Sequence, residues 1–149
     1  MSEPEGHVAT ASVVIAAPPQ EVWDALVAPD AQYMFGSDIV TDWTAGSPIL
    51  FRGRWEGKPF EDTGTILAVD PPRRLRYSHY SPLSGAPDVP ESYHRLTFTL
   101  DAVPAVPPVP AGTRLSLTQD NNETPQAAEH ASGMWRDMLD TLRESIEQG

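Results

Sequence analysis

The chain has 149 residues, no cysteine, and 21 acidic against 10 basic side chains, for a formal charge of −11. That excess repels phosphate backbones, so nucleic acid is not an expected partner, and without a thiol there is no disulfide, thiolate nucleophile or Cys-rich metal site. With 40% hydrophobic residues the chain can bury one core, so a single domain over 1–149 is expected, its core spanning about 8–147.

The opening MSEPEGHVAT has neither a basic nor an apolar segment of the kind a secretory leader carries, and no stretch approaches the length of apolar residues a membrane span needs. No membrane insertion is expected, and a cytoplasmic location is. Lys58 is the only lysine, which with the many alanines and prolines suits a GC-rich bacterial genome.

In chain order, VATASVVI (8–15) is β-branched and predicts a first strand. In AAPPQEVWDALVAP, Pro18 and Pro19 open a short helix with Val22, Trp23, Leu26 and Val27 on one face, and Pro29 closes it. Strands are then predicted near 38–43, 47–56, 59–70, 73–80, 92–102 and 112–120. Gly57 supplies the hairpin in WEGKPF, and VDPPRR separates two further strands. SPLSGAPDVPES and the Pro-rich AVPAVPPVPAG read as longer loops. In the last segment Thr124 caps and Pro125 begins a long amphipathic helix. Ala127, Ala131, Met134, Trp135, Met138, Leu139, Leu142 and Ile146 gather on one side and charged residues opposite. Its partner must be the sheet.

Strand, short helix, antiparallel meander and long closing helix describe an α+β helix-grip, a curved sheet wrapped around the C-terminal helix. The runs IAAPPQEVWDAL, DWTAGSPI, VDPPRRLRYSHYSPLSG, GTRLSLTQDN and AAEHASGMWRDMLDTL resemble the SRPBCC superfamily, also called START-like or birch-pollen-allergen-like. Within it they resemble the branch of the C-terminal domain of the heat-shock-protein-90 ATPase activator. The resemblance implies the helix-grip fold and a cavity between sheet and helix, whose contents depend on a few wall residues. It brings no universal catalytic motif.

Alternation assigns the walls. Leu75, Tyr77 and His79 share the inward face of one strand, His94, Leu96, Phe98 and Leu100 that of the next, and Leu115, Leu117 and Gln119 that of the last. Ile49, Phe51 and Trp55 form the inward set of an early strand. Antiparallel pairing then sets His79 opposite or nearly opposite His94, and Leu96 near Gln119. The expected ligand contacts are Phe51, Trp55, Tyr77, His79, His94, Leu96, Phe98, Leu117 and Gln119, with His130, Met134 and Met138 from the helix. Tyr77, His79, His94 and Gln119 would form a polar end to an apolar pocket.

His79 and His94 are the candidates for acid-base chemistry, because imidazole titrates near neutral pH. Ser78 and His79 point to opposite faces and cannot form a nucleophilic pair, and Tyr80 is expected outward or in the turn. His130 is the only further histidine within reach of a metal site, His7 preceding the first strand, and the spacings match no metal motif, so neither metal nor cofactor is expected. The TQDNNET run, with Asp120 and Glu123, has the carboxylates to hold a cation but reads as turn and cap residues before the helix.

The leading expectation is a protein that binds or sequesters a small hydrophobic, aromatic or polyketide/lipid-like molecule. The alternative is a cyclase or dehydratase in which His79 or His94 moves a proton. A chaperone-interacting domain ranks last, because the chain lacks the separate N-terminal domain of the co-chaperone form.

Overall fold

A computed structural model describes residues 6–148. Seven strands and two α-helices follow one another: β1 (His7–Ile15), α1 (Pro19–Leu26), β2 (Asp38–Val40), β3 (Pro48–Trp55), β4 (Lys58–Asp70), β5 (Arg74–His79), β6 (His94–Val103), β7 (Gly112–Asn122) and α2 (Pro125–Gln148). The predicted strands are all present, with β2 shorter than its pattern implied. Thr124 caps α2 as expected, its hydroxyl accepting the Ala127 N–H at 3.0 Å.

All pairings are antiparallel, and the sheet runs β1-β7-β6-β5-β4-β3-β2. From β2 to β7 this is the simple meander, and β1 returns to pair with β7. The two edges are managed differently. β2 is only three residues long, which leaves little open edge. β1 is covered by α2: the Thr10 N–H donates to Ser132 Oγ at 3.0 Å, and the Ala16 N–H donates to Glu147 Oε2 at 2.9 Å. The helix is thus fastened to the edge strand near both ends.

Side-chain parity along the strands builds the core. Ile49 and Phe51 from β3, Ile66 from β4, Leu75 and Tyr77 from β5, Leu96, Phe98 and Leu100 from β6, and Leu115 and Leu117 from β7 all lie buried on the concave face. Trp135, Met138, Leu139 and Leu142 of α2 and Val22, Trp23 and Leu26 of α1 close over them. Each such side chain contributes about 1.5–3 kcal/mol of hydrophobic stabilisation.

Gly64 lies so close to β5 that a Cβ there would stand 1.8 Å from the Ser78 carbonyl oxygen. Only glycine lets β4 approach β5 at this point.

The buried stripe of α2 differs from its predicted form at one border. Ala128, Trp135, Met138, Leu139 and Leu142 are buried, whereas Met134 is 42% exposed and His130 is exposed. At about 100° per residue Met134 stands a quarter turn away from the Trp135–Leu139–Leu142 line, and His130 stands farther round. Tyr80 lies on the outer side of the sheet, as expected. It is buried, because the β5–β6 loop folds over the outer side of the sheet; its ring stacks on Tyr93 at 5.2 Å, and its hydroxyl donates to Ala86 O at 2.6 Å.

Candidate functional site

The concave face has an aromatic floor. Phe51 and Tyr77 lie 5.6 Å apart between ring centroids, and Tyr77 and Phe98 lie 5.7 Å apart. With Leu96 and Leu117 these are five of the twelve predicted ligand contacts, and all five are at most 1% exposed. They touch no space into which a water could fit. The polar end is partly closed as well, since Gln119 Oε1 accepts the Trp135 indole N–H at 3.1 Å. The side chains meant to line a cavity are therefore packed against one another and against α2.

The open space lies beside this floor. A groove of about 660 Å³ runs between the segment after α1 and one flank of α2, lined by Ala25, Ala28, Ala31, Tyr33, Phe35, Met138, Thr141, Leu142 and their neighbours. Met138 is the one predicted contact among its lining residues. Phe35 is 57% exposed and leans on Trp135 with ring centroids 5.3 Å apart. Tyr33 joins groove and floor: its ring meets Phe98 edge-on at 6.0 Å, and its hydroxyl donates to Leu26 O at 3.0 Å. Met134 precedes Met138 by one turn on the same flank of α2 and continues that wall toward the helix start.

Tyr77 is fully buried, and its hydroxyl makes no hydrogen bond of good geometry. Burial holds the Tyr77 phenol well above its ordinary range, and the neighbouring Tyr33 adds to the effect. Burial likewise raises Tyr33. Both phenols stay neutral at physiological pH, so neither serves as a base.

The two histidines of interest occupy the end of the floor. His79 and His94 are directly opposed on β5 and β6, as the pairing predicted, and Leu96 is opposite Gln119. His79 Nε2 lies 2.9 Å from Asp62 Oδ2, and its ring packs edge-on against Phe51 at 5.1 Å. Asp62 is a buried carboxylate directly opposite Phe51 on β4, so it shares the concave face. Sequence reasoning missed it, although its even spacing with Ile66 in FEDTGTI carried the signal. His94 Nδ1 is 2.8 Å from the Asp120 carbonyl oxygen. Asp120 also takes the Arg95 backbone N–H at 2.7 Å and the Arg95 guanidinium at 2.6 Å, so it is a structural residue, though it sits within β7 and not in the turn its neighbours suggested. His130 lies on the exposed side of α2, and the Trp55 side chain lies outside the described residues. Among the described residues no three His, Asp or Glu side chains converge as a metal site requires. No helix among them is long and apolar enough to cross a membrane.

An open, curved antiparallel sheet gripping one long C-terminal helix defines the helix-grip class. The chain belongs to the family described as Activator of Hsp90 ATPase homolog 1-like protein, which it matches over residues 16–147, within the SRPBCC superfamily. It is similar to ChR145 from Cytophaga hutchinsonii, at 44% identity and a TM-score of 0.80 over 99% of this chain and 97% of that one. CalU16 from Micromonospora echinospora shares the fold at 21% identity and a TM-score of 0.67, over 97% and 84% of the two chains. Ara h 8.0201 shares it at 12% identity and a TM-score of 0.68, over 96% and 99%. Among curated proteins none matches.

Proposed function

We propose that the protein binds a small hydrophobic molecule, aromatic or polyketide/lipid-like, in the groove between α2 and the segment that follows α1. The observation that carries this reading is the groove itself. Its volume of about 660 Å³ falls within the range of small-molecule sites, and alanine, aromatic, methionine and leucine side chains line it together with the polar Asp30, Gln32, Asp137, Thr141 and Ser145. Met138 supports the reading further, because a thioether adapts to irregular ligand shapes. The expected position directly over Phe51, Tyr77, Leu96, Phe98 and Leu117 is replaced by one beside them, with Tyr33 as the shared wall.

The test is a titration of isotope-labelled protein with flavonoids, polyketide aromatics, sterols and fatty acids, followed by amide and methyl NMR. Saturable shifts at Ala28, Ala31, Phe35, Met138 and Thr141 are expected for at least one class. If no class moves these signals, the ligand-binding reading fails, and a protein partner such as a chaperone becomes the reading to pursue.

A further inference from the structure

We infer that the end of the concave face at Asp62, His79 and His94 is a second binding site, which takes an aromatic hydroxyl compound, a phenol or enol, as a hydrogen-bond donor and passes its proton to His79. The inference goes beyond the groove and does not depend on it.

Which atoms can donate decides what this end of the sheet can bind. A backbone carbonyl only accepts, so the 2.8 Å contact with Asp120 O places a hydrogen on His94 Nδ1 and leaves Nε2 of the neutral ring as a lone pair. A carboxylate also only accepts, so the 2.9 Å contact with Asp62 places a hydrogen on His79 Nε2 and leaves Nδ1 as a lone pair. Neither remaining nitrogen has a hydrogen-bond partner among the described residues. Both histidines are half-buried. The third acceptor is Asp62 Oδ1, which is buried with no partner in a residue 8% exposed. A buried oxygen left without a donor is costly, and a ligand can relieve that cost.

Three acceptors therefore stand at adjacent positions of β4, β5 and β6 with no donor among them, and the ligand must bring the hydrogen. Asp62, His79 and His94 do not converge closely enough to share a metal ion. An aromatic ligand fits the surroundings: Phe51 packs on His79, and the Phe60 ring lies over Gly53, where a Cβ would stand 2.8 Å from it. In the proton transfer the ligand O–H bond breaks, its hydrogen bonds to His79 Nδ1, and the electron pair stays on oxygen as phenolate. The imidazolium then lies between the phenolate and the Asp62 carboxylate, as in other carboxylate-oriented histidines. Asp62 is a positioning residue in this scheme.

The probe is 4-nitrophenol, whose phenolate has its own visible absorbance, compared with 4-nitroanisole and benzylammonium on the full chain. Bound 4-nitrophenol is expected to show a larger phenolate fraction than the free dye at the same pH, and nitroanisole to bind about tenfold more weakly. Nitrogen NMR of His79 should show Nδ1 gaining a proton on binding. Asp62→Asn should lower the bound phenolate fraction, and His79→Ala should abolish the gain in phenolate, with His79→Asn as the second variant if the first does not fold. Thr141→Trp, which fills the groove, should leave 4-nitrophenol binding intact. Equal affinity for phenol and anisole, preference for benzylammonium, or loss of binding in Thr141→Trp would overturn the site. The last outcome would leave the groove reading standing.

Discussion

The concave face of the sheet and the groove beside it share Tyr33 and α2 but are built on opposite terms. The floor consists of large side chains at most 1% exposed, each held by neighbours on its own strand, the next strand and the helix. The groove is walled by alanines, by Tyr33, Met138 and Leu142, and by Phe35, which stays more than half exposed. The floor is where the stability lies, and the groove is where a guest can enter without displacing anything. In this chain a fold able to enclose a cavity over its sheet has filled that space with its own aromatic rings.

Substitution should separate the two regions most sharply at the floor. Phe98→Ala removes a buried ring that touches both Tyr33 and Tyr77 and should cost about 3–5 kcal/mol in urea unfolding. Phe35→Ala deletes a ring of equal size on the groove side and should cost about 1 kcal/mol or less, while weakening ligand binding. Equal losses from the two would erase the distinction. Gly64→Ala comes next: the new methyl runs into the Ser78 carbonyl, and a loss of about 2–3 kcal/mol is expected from thermal unfolding.

Tyr77 sharpens the comparison in another way. Its buried hydroxyl has no good partner, so Tyr77→Phe should leave stability at neutral pH unchanged or slightly raised. The alkaline limb is the more telling part. Burial raises the Tyr77 phenol in the folded state, so the unfolded chain releases this proton first, near pH 10, and the folded chain holds it. The stabilising contribution is thus full below about pH 10 and is lost as pH rises further. Tyr77→Phe should flatten that loss in denaturant titrations between neutral and alkaline pH. The smallest effect is expected at the groove rim, where Thr141→Trp should shift stability by about 0.5 kcal/mol or less yet block hydrophobic ligands in a binding assay.

These regions also differed in how much of them the sequence disclosed. Alternation in RLRYSH and HRLTFTL placed Tyr77, His79, Leu96 and Phe98 on the inner face and His79 opposite His94, because the period of a paired strand leaves no other arrangement. The groove was hidden for the converse reason. The segment after α1 carries no period, and its position depends on Phe35 meeting Trp135, a contact across a hundred residues of chain. Met134 and His130 were misplaced because the apolar stripe of α2 was drawn too wide; its centre, at Trp135 and Leu139, was legible, and its border was set by where the floor ends. Asp62 could have been read from parity, but a lone carboxylate in a strand otherwise looks like a solvent-facing residue until its histidine is placed beside it.

The most direct test of the account is where a bound hydrophobic ligand makes contact, measured by intermolecular nuclear Overhauser effects to assigned methyl groups. The account predicts contacts to the Met138 and Ala31 methyls at the groove and none to Leu96 or Leu117 on the floor. Strong contacts to Leu96 and Leu117 would mean that the floor opens to admit the ligand, and would contradict the division between a packed face and an open groove.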